Sequence, residues 1–132
     1  MRAVEAARER AQRRRTSTAE AETSYAAFLQ DVATPVARQV VNALKVEGYA
    51  FTLFTPGDGL RLASDRGRDD YIEFALDTAS NTPQVVGRIR HTRGSRTIDE
   101  ELPVKAGATP DAVTEEDVLA FLLDALGPWL ER

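Results

Sequence analysis

Residues 49–104 decide the fold, and they read YAFTLFTPGDGLRLASDRGRDDYIEFALDTASNTPQVVGRIRHTRGSRTIDEELPV. Apolar and polar side chains alternate in five short runs, which Gly, Pro, Asn and Asp residues separate. Alternation places successive side chains on opposite faces of a strand, and these four residue types favour turns. The stretch therefore predicts five antiparallel strands that follow one another as a meander.

The predicted strands are 49–54, 60–63, 71–76, 84–92 and 95–104. Pro56-Gly57-Asp58-Gly59 predicts the first hairpin turn, and Arg93-Gly94 predicts the last. In the third strand Ile72, Phe74 and Leu76 share one face, so we expect that face of the sheet to meet the core.

The residues before the meander predict helices. From Tyr25 to Leu44 the apolar side chains recur every three or four residues, which is the pattern of one buried helical face. Thr16-Ser17-Thr18 contains good N-cap residues and predicts that a new helix starts there. Pro35 predicts a kink or break, with Thr34 as a fresh N-cap, and Gly48 predicts the end of the helix.

A C-terminal helix is predicted from Thr114, because this N-cap residue precedes three acidic residues and a broad apolar face. Gly127-Pro128 predicts a bend or an end before Trp129. The fold class is therefore α+β: N-terminal helices kinked near Pro35, a five-stranded antiparallel meander, and a C-terminal helix packed on one sheet face. The predicted core comprises Phe28, Leu29, Val32, Val36, Val40, Leu44, Phe51, Leu53, Ile72, Phe74, Leu76, Leu119, Leu122 and Leu126.

The N-terminal segment MRAVEAARERAQRRR differs in charge from everything that follows it. It holds six arginines and two glutamates, a net charge of +4, whereas the whole chain carries −4 and the remainder therefore carries −8. Only Val4, Ala7 and Ala11 form an apolar stripe, so we expect this segment to fray unless something packs on it. The domain prediction is a basic, helix-prone arm over residues 1–17 and a single α+β domain over residues 18–132.

Composition restricts the class of protein. Hydrophobic residues make up 42% of the 132 residues, cysteine is absent, and no apolar run approaches the length of a membrane span. The sequence therefore predicts no disulfide framework and no membrane partner, and a cytoplasmic protein is expected.

Candidate catalytic and metal-binding residues are scarce, which favours a protein that is not an enzyme. His91 is the only histidine, and we expect it at a solvent-exposed strand end. Asp65, Asp69 and Asp70 lack the spacing of a calcium loop and are typical of turns. No cofactor and no metal are predicted.

A second basic group lies on the last predicted hairpin, where Arg88, Arg90, Arg93 and Arg96 gather. A cationic sheet face of this kind can contact phosphates. Charges on neighbouring strands, such as Glu73 and Asp99, favour a cross-strand ladder of paired charges instead.

Three functions follow from these observations. A protein-binding adaptor or regulatory module is favoured, a nucleic-acid-binding protein is the first alternative, and a small-molecule-binding or enzymatic domain with a pocket between helices and sheet is the second. Another protein is the expected partner, nucleic acid is the alternative, and homo-oligomerisation stays open. The predicted partner-binding residues are Arg10, Arg13, Arg14, Arg15, Arg88, Arg90, Arg93 and Arg96.

Overall fold

A computed structural model of the chain places a long helical segment before a five-stranded sheet and short helices after it. The structure describes residues 1–57, 59–67, 69–79 and 82–130. Asp58 of the predicted first turn, and positions 131–132 of the predicted domain, lie outside the described residues. The elements are α1 (Arg2–Phe28), a π-helical segment (Leu29–Ala33), α2 (Thr34–Val46), β1 (Phe51–Phe54), β2 (Leu60–Ser64), β3 (Tyr71–Asp77), β4 (Gln84–Arg93), β5 (Arg96–Pro103), a 3-10 turn (Pro110–Ala112), α3 (Glu115–Ala125) and α4 (Gly127–Leu130).

The first helix runs without interruption through the three residues that predict a new start. α1 includes Thr16, Ser17 and Thr18, so the predicted helix boundary there is wrong. Ser and Thr are only slightly unfavourable inside a helix, and neither removes a backbone donor as proline does. The arm residues are therefore continuous with the helix that enters the core.

The predicted disruption near Pro35 takes the form of a π-helical segment rather than a break. Proline has no N–H and its ring clashes with the carbonyl four residues earlier, which here belongs to Asp31. Immediately before Pro35 the hydrogen bonding widens, and the Thr34 N–H donates to the carbonyl of Leu29, five residues back. The backbone stays in the right-handed helical region on both sides, so α1 and α2 form one continuous helical segment.

The end of α2 at Gly48 agrees with the sequence prediction. Gly48 adopts φ +89°, a conformation that glycine reaches without steric cost. Its N–H donates to the carbonyl of Lys45, and the Tyr49 N–H donates to that of Leu44 at 2.8 Å. These two bonds form the Schellman arrangement and turn the chain into β1.

The sheet is the predicted antiparallel meander, with strand order β1-β2-β3-β4-β5. Ile72 faces Leu62 on one side and Ile89 on the other, so each central strand contributes to the same buried face. The rings of Phe28, Phe74 and Phe121 meet there, with the Phe28 and Phe74 centroids 6.4 Å apart and the Phe74 and Phe121 centroids 5.7 Å apart. The helices thus cover this inner face of the sheet.

Most of the predicted core is confirmed, with one clear error. The predicted positions that are buried are Phe28, Val36, Val40, Leu44, Phe51, Ile72, Phe74, Leu122 and Leu126. Leu29, Val32, Leu53 and Leu76 are half-buried and pack against that cluster. Leu119 is 42% exposed, so its assignment to the core is wrong. Buried residues that the sequence prediction omitted include Tyr25, Leu60, Leu62, Val85, Val118 and Trp129.

α3 begins at the predicted cap. The Asp117 N–H donates to Thr114 Oγ1 at 3.2 Å, and the Thr114 N–H donates to Asp117 Oδ2 at 2.9 Å. The backbone hydrogen bond from Thr114 is the main reason why the pKa of Asp117 lies below its ordinary value, and the ammonium of Lys105, 3.2 Å from the carboxylate, acts in the same direction. α3 ends at Ala125 with Leu126 as its C-cap, and the short α4 starts at Gly127 and includes Pro128.

Candidate functional site

The arm is a helix whose basic side chains face solvent. In α1 the only buried residues are Ala21, Tyr25 and Phe28, all beyond the arm. Arg15 donates to Gln12 at 2.8 Å, which is a contact within the helix itself. Among the described residues, none of the arm arginines forms an ion pair with a carboxylate. Arg10, Arg13, Arg14 and Arg15 therefore remain available for contact with an anionic surface.

In the part of the chain that the structure describes, two arginines of the β4–β5 hairpin, unlike those of the arm, are paired with carboxylates. Arg88 Nε lies 3.5 Å from Glu101 Oε2, and Arg90 Nε lies 3.6 Å from Asp99 Oδ1. Both pairs bridge β4 and β5 on the outer face of the sheet, opposite the helices. Positive charge on this face is therefore largely balanced by neighbouring carboxylates.

A further pair extends this arrangement across the sheet. Arg61 Nη2 donates to Glu73 Oε2 at 3.1 Å, and its guanidinium lies 4.3 Å from the centroid of the Tyr71 ring. The cross-strand charge ladder predicted from the alternation is thus present. Arg93 and Arg96 face each other at the end of the hairpin, where both are exposed and no carboxylate partner is found within the described part of the chain.

His91 does not lie where the sequence predicts it. Its side chain is half-buried on the inner face, and its ring lies 5.7 Å from that of Trp129 at an interplanar angle of 70°. The expectation of an exposed strand end is wrong, because α4 folds back over the end of β4 and brings Trp129 against it. His91 therefore contributes to packing around the C-terminal tryptophan.

Asp70 is the buried carboxylate that sequence reasoning missed. It is 6% exposed, its Oδ1 accepts a hydrogen bond from the Thr92 N–H at 2.8 Å, and its Oδ2 accepts one from the Trp129 indole N–H at 3.2 Å. Asp65 instead accepts from the Thr52 hydroxyl at 2.6 Å. The predicted turn aspartates therefore diverge to different partners. In the described ranges no cluster of three or more His, Asp or Glu side chains is arranged to hold a metal ion.

A cleft of about 650 Å³ opens beside this buried contact, at one end of the sheet. Tyr49, Phe51 and Trp129 form its aromatic part, and the Phe51 and Trp129 rings meet edge to face at 5.7 Å. Arg66 and Arg93 add positive charge, while the Asp70 oxygens are already engaged. The cleft combines an aromatic wall with mixed charge.

An apolar groove of about 530 Å³ lies between α2 and α3 on the outer side of the helix layer. Its lining residues are Gln39, Val40, Ala43, Leu44, Glu47, Tyr49, Leu119, Leu123 and Leu130. Leu119 is 42% exposed and Leu123 is 53% exposed, although both are large aliphatic side chains. Adjacent exposed apolar residues of this kind mark interaction surfaces.

The rim of the groove is acidic. Glu47 lines it directly, and Glu115 and Glu116 are exposed one turn before Leu119 on the same side of α3. By helical spacing, Arg38 and Lys45 lie on the opposite side of α2 from the groove. The groove therefore offers an apolar floor with negative charge at its edge.

Together these features define a small α+β protein with one projecting basic helix and one acidic-rimmed apolar groove. Comparisons with protein-family models, curated proteins and solved structures found no match for the chain. Within the described residues, no helix is both long and apolar enough to cross a lipid bilayer.

Proposed function

We propose that this chain is a small non-catalytic adaptor or regulatory module that binds another protein through its basic arm and one helix surface. The observation that carries the proposal is the contrast between two arginine groups. Arg88 and Arg90 are paired with carboxylates, whereas the arm arginines are exposed without ion pairs among the described residues. Unpaired cations on a projecting helix are suited to contact carboxylates of a partner.

An acidic protein surface is the favoured target because of the overall charge distribution. The body of the chain carries −8 and repels the phosphate backbone of a nucleic acid, whose charge density is high. An acidic patch on a protein is smaller, so the arm reaches it without bringing the whole body into a strong negative potential. Complementary charge of this kind accelerates association and orients the partner.

The test uses the full chain and poly-L-glutamate as a defined acidic polypeptide. Binding is followed by the anisotropy of a fluorescent label on poly-L-glutamate at low salt and at about 0.15 M salt. Replacing Arg13, Arg14 and Arg15 with Ala removes three cations from the arm. Exposed ion pairs contribute up to about 1 kcal/mol each, so affinity is expected to fall about tenfold or more and to lose part of its salt dependence.

A matched control removes the same charge from the hairpin. The triple variant Arg88→Ala, Arg93→Ala and Arg96→Ala removes one paired arginine and two exposed ones. Because these cations are attached to the acidic body and not to the arm, it should bind poly-L-glutamate less than threefold more weakly than the unaltered chain, on the order of half a kcal/mol. If the arm variant binds as tightly as the unaltered chain, or the hairpin variant weakens binding equally, the arm is not the recognition element and the proposal fails.

Nucleic acid is the second candidate, since the same exposed arm arginines can contact phosphates. Replacing poly-L-glutamate with a mixed-sequence DNA duplex tests it in the same assay. Tighter binding to the duplex, with losses in both triple variants, would favour the nucleic-acid function, because the exposed tip arginines Arg93 and Arg96 would then share in phosphate contact.

A further inference from the structure

We propose that the acidic partner of the arm is a second copy of this chain, and that the arm of one copy docks into the α2–α3 groove of the other. This inference rests on the proposed function, because it names the partner of the same arm. Four observations carry it: the continuity of the helix, the shape of the groove, the charge on its rim and the narrow apolar stripe of the arm.

The continuity of the helical segment prevents the arm from reaching its own body. From Arg2 to Val46 every element is helical, and the residues that join them stay in the right-handed helical region. With a rise of 1.5 Å per residue, the part of α1 before Ala21 extends roughly 28 Å from the first buried position. Because the arm extends away from its own body as part of this helix, the surface that it contacts belongs to a different molecule.

The groove has the composition of a surface that is covered by another helix. Val40, Ala43 and Leu44 come from α2, and Leu119 and Leu123 come from α3, so the floor is a furrow between two packed helices. Burying an aliphatic side chain that is half-exposed stabilises a complex by about 1 kcal/mol or more. The groove therefore gains from an occupant that brings apolar contact along the furrow.

The charges of arm and groove are complementary. The arm carries +4 over its first fifteen residues. Glu47 lines the groove, and helical spacing places the exposed Glu115 and Glu116 on the same side of α3 as Leu119. Arg38 and Lys45 of α2 lie on the side of that helix opposite the groove. A basic helix lying in the groove brings its arginines against these carboxylates, whereas an acidic helix would be repelled.

The arm also matches the groove in size. Its apolar stripe consists of Val4, Ala7 and Ala11, and small side chains let a helix backbone come close to the surface that it packs on. The groove of about 530 Å³ accommodates the few small side chains of this stripe. Since each copy has one arm and one groove, reciprocal docking buries both pairs and closes a dimer.

Sedimentation velocity of the full chain over a range of concentrations tests the inference. We expect a dimer at low salt whose dissociation constant rises with ionic strength, because the contact is small and depends on charge. Leu123→Lys places a cation in the groove against the basic arm and should weaken association at least about tenfold. Val46→Lys is the matched control, because Val46 is 84% exposed on α2 but does not line the groove.

A second test exchanges the charges of the arm and the groove, and it measures recovery of the dimer as well as its loss. One variant carries Arg13→Glu, Arg14→Glu and Arg15→Glu, and the other carries Glu47→Lys, Glu115→Lys and Glu116→Lys. Each alone should be monomeric, since its arm and groove then have the same sign, and an equimolar mixture should recover the dimer. Melting curves of the separate variants show that each is folded before mixing.

Several outcomes would overturn the inference. It fails if the full chain sediments as a monomer at all concentrations, if Val46→Lys weakens the dimer as much as Leu123→Lys, or if the mixture of charge variants stays monomeric. A monomeric chain that still binds poly-L-glutamate through its arm would overturn self-docking and leave the proposed function standing. A chain that neither dimerises nor binds poly-L-glutamate would overturn both.

Discussion

Gly87 permits a close approach between α3 and the sheet, so Gly87→Ala has a well-defined expected effect. A Cβ atom at residue 87 would lie 2.2 Å from Cζ and 2.4 Å from Cε1 of Phe121. Gly87 does not adopt a positive φ, so alanine at this position brings no backbone strain. The substitution therefore measures the space between β4 and α3 alone.

The expected loss of stability follows from the displacement of the Phe121 ring. Its ring has to retreat by more than an ångström to restore ordinary contact, and this disturbs its edge-to-face packing on Phe74. Overpacking of this kind costs about 1–3 kcal/mol. For a chain of this length the loss corresponds to a fall in Tm of roughly 4–12 °C.

A double-mutant cycle with Phe121→Ala separates steric conflict from other effects. Urea unfolding gives the free energy of unfolding of the wild-type chain, both single variants and the double variant. In the Phe121→Ala background the Gly87→Ala substitution should cost less than about 0.5 kcal/mol, because the ring that it meets is gone. An equal cost in both backgrounds, or no cost in the wild-type chain, would refute the proposed packing.

Three further predictions follow from individual contacts. Asp70→Ala should lower the free energy of unfolding by about 2 kcal/mol, measured by urea unfolding, because it removes the acceptor of the buried Trp129 indole N–H and of the half-buried Thr92 N–H, while Asp69→Ala at the exposed neighbour should change it little. The folded-state pKa of Asp117 is lowered, so its carboxylate contributes fully to stability above the ordinary carboxyl pKa, and this contribution is lost as pH falls through the lowered value. Asp117→Asn should therefore reduce the loss of stability at acid pH, measured as the free energy of unfolding against pH, and Glu115→Gln should not. Deletion of residues 1–15 should leave the Tm nearly unchanged, because every buried residue of α1 lies beyond them, and a large fall in Tm would show that the arm supports the fold.

The sheet could be predicted because its signals are local. Alternation fixes which residues share a face, and Gly94, with φ +65°, occupies the tight turn that Arg93-Gly94 indicates. The Schellman end at Gly48 and the capping box at Thr114 are also encoded within a few residues. Such signals depend on backbone conformation, which a short stretch of sequence determines.

The helix start at Thr16–Thr18 was mispredicted because a good cap residue is not a helix breaker. Its preference is worth about 1 kcal/mol at most sites, which the helix formers Ala19, Glu20, Ala21 and Glu22 outweigh. A cap residue stabilises the start of a helix, but it does not interrupt a helix that is already running, because it leaves the backbone hydrogen bonds intact.

Leu119 and Asp70 could not be placed from sequence for a different reason. Apolar residues occupy more of the circumference of α3 than the sheet and α2 cover, so Val118 and Leu122 enter the core while Leu119 and Leu123 line the outer groove. Asp70 and Trp129 are hydrogen-bonded although they are 59 residues apart in the sequence, and no local sequence pattern predicts a contact at that separation. The groove and the buried carboxylate both arise from tertiary packing.

The direct connection between arm and core explains why so poorly amphipathic a segment is helical. Nucleation is the costly step of helix formation, and adding residues to an existing helix is nearly neutral for good helix formers. Tyr25 and Phe28, whose rings stack at 6.2 Å, anchor the end of α1 in the core and provide that nucleus. The arm then needs only propagation through Ala, Glu, Gln and Arg, residues with high helix propensity. The fold therefore orders the arm as a helix before binding, so a partner does not have to provide all of the free energy that this ordering requires. Core residues that the partner never contacts thereby increase its affinity.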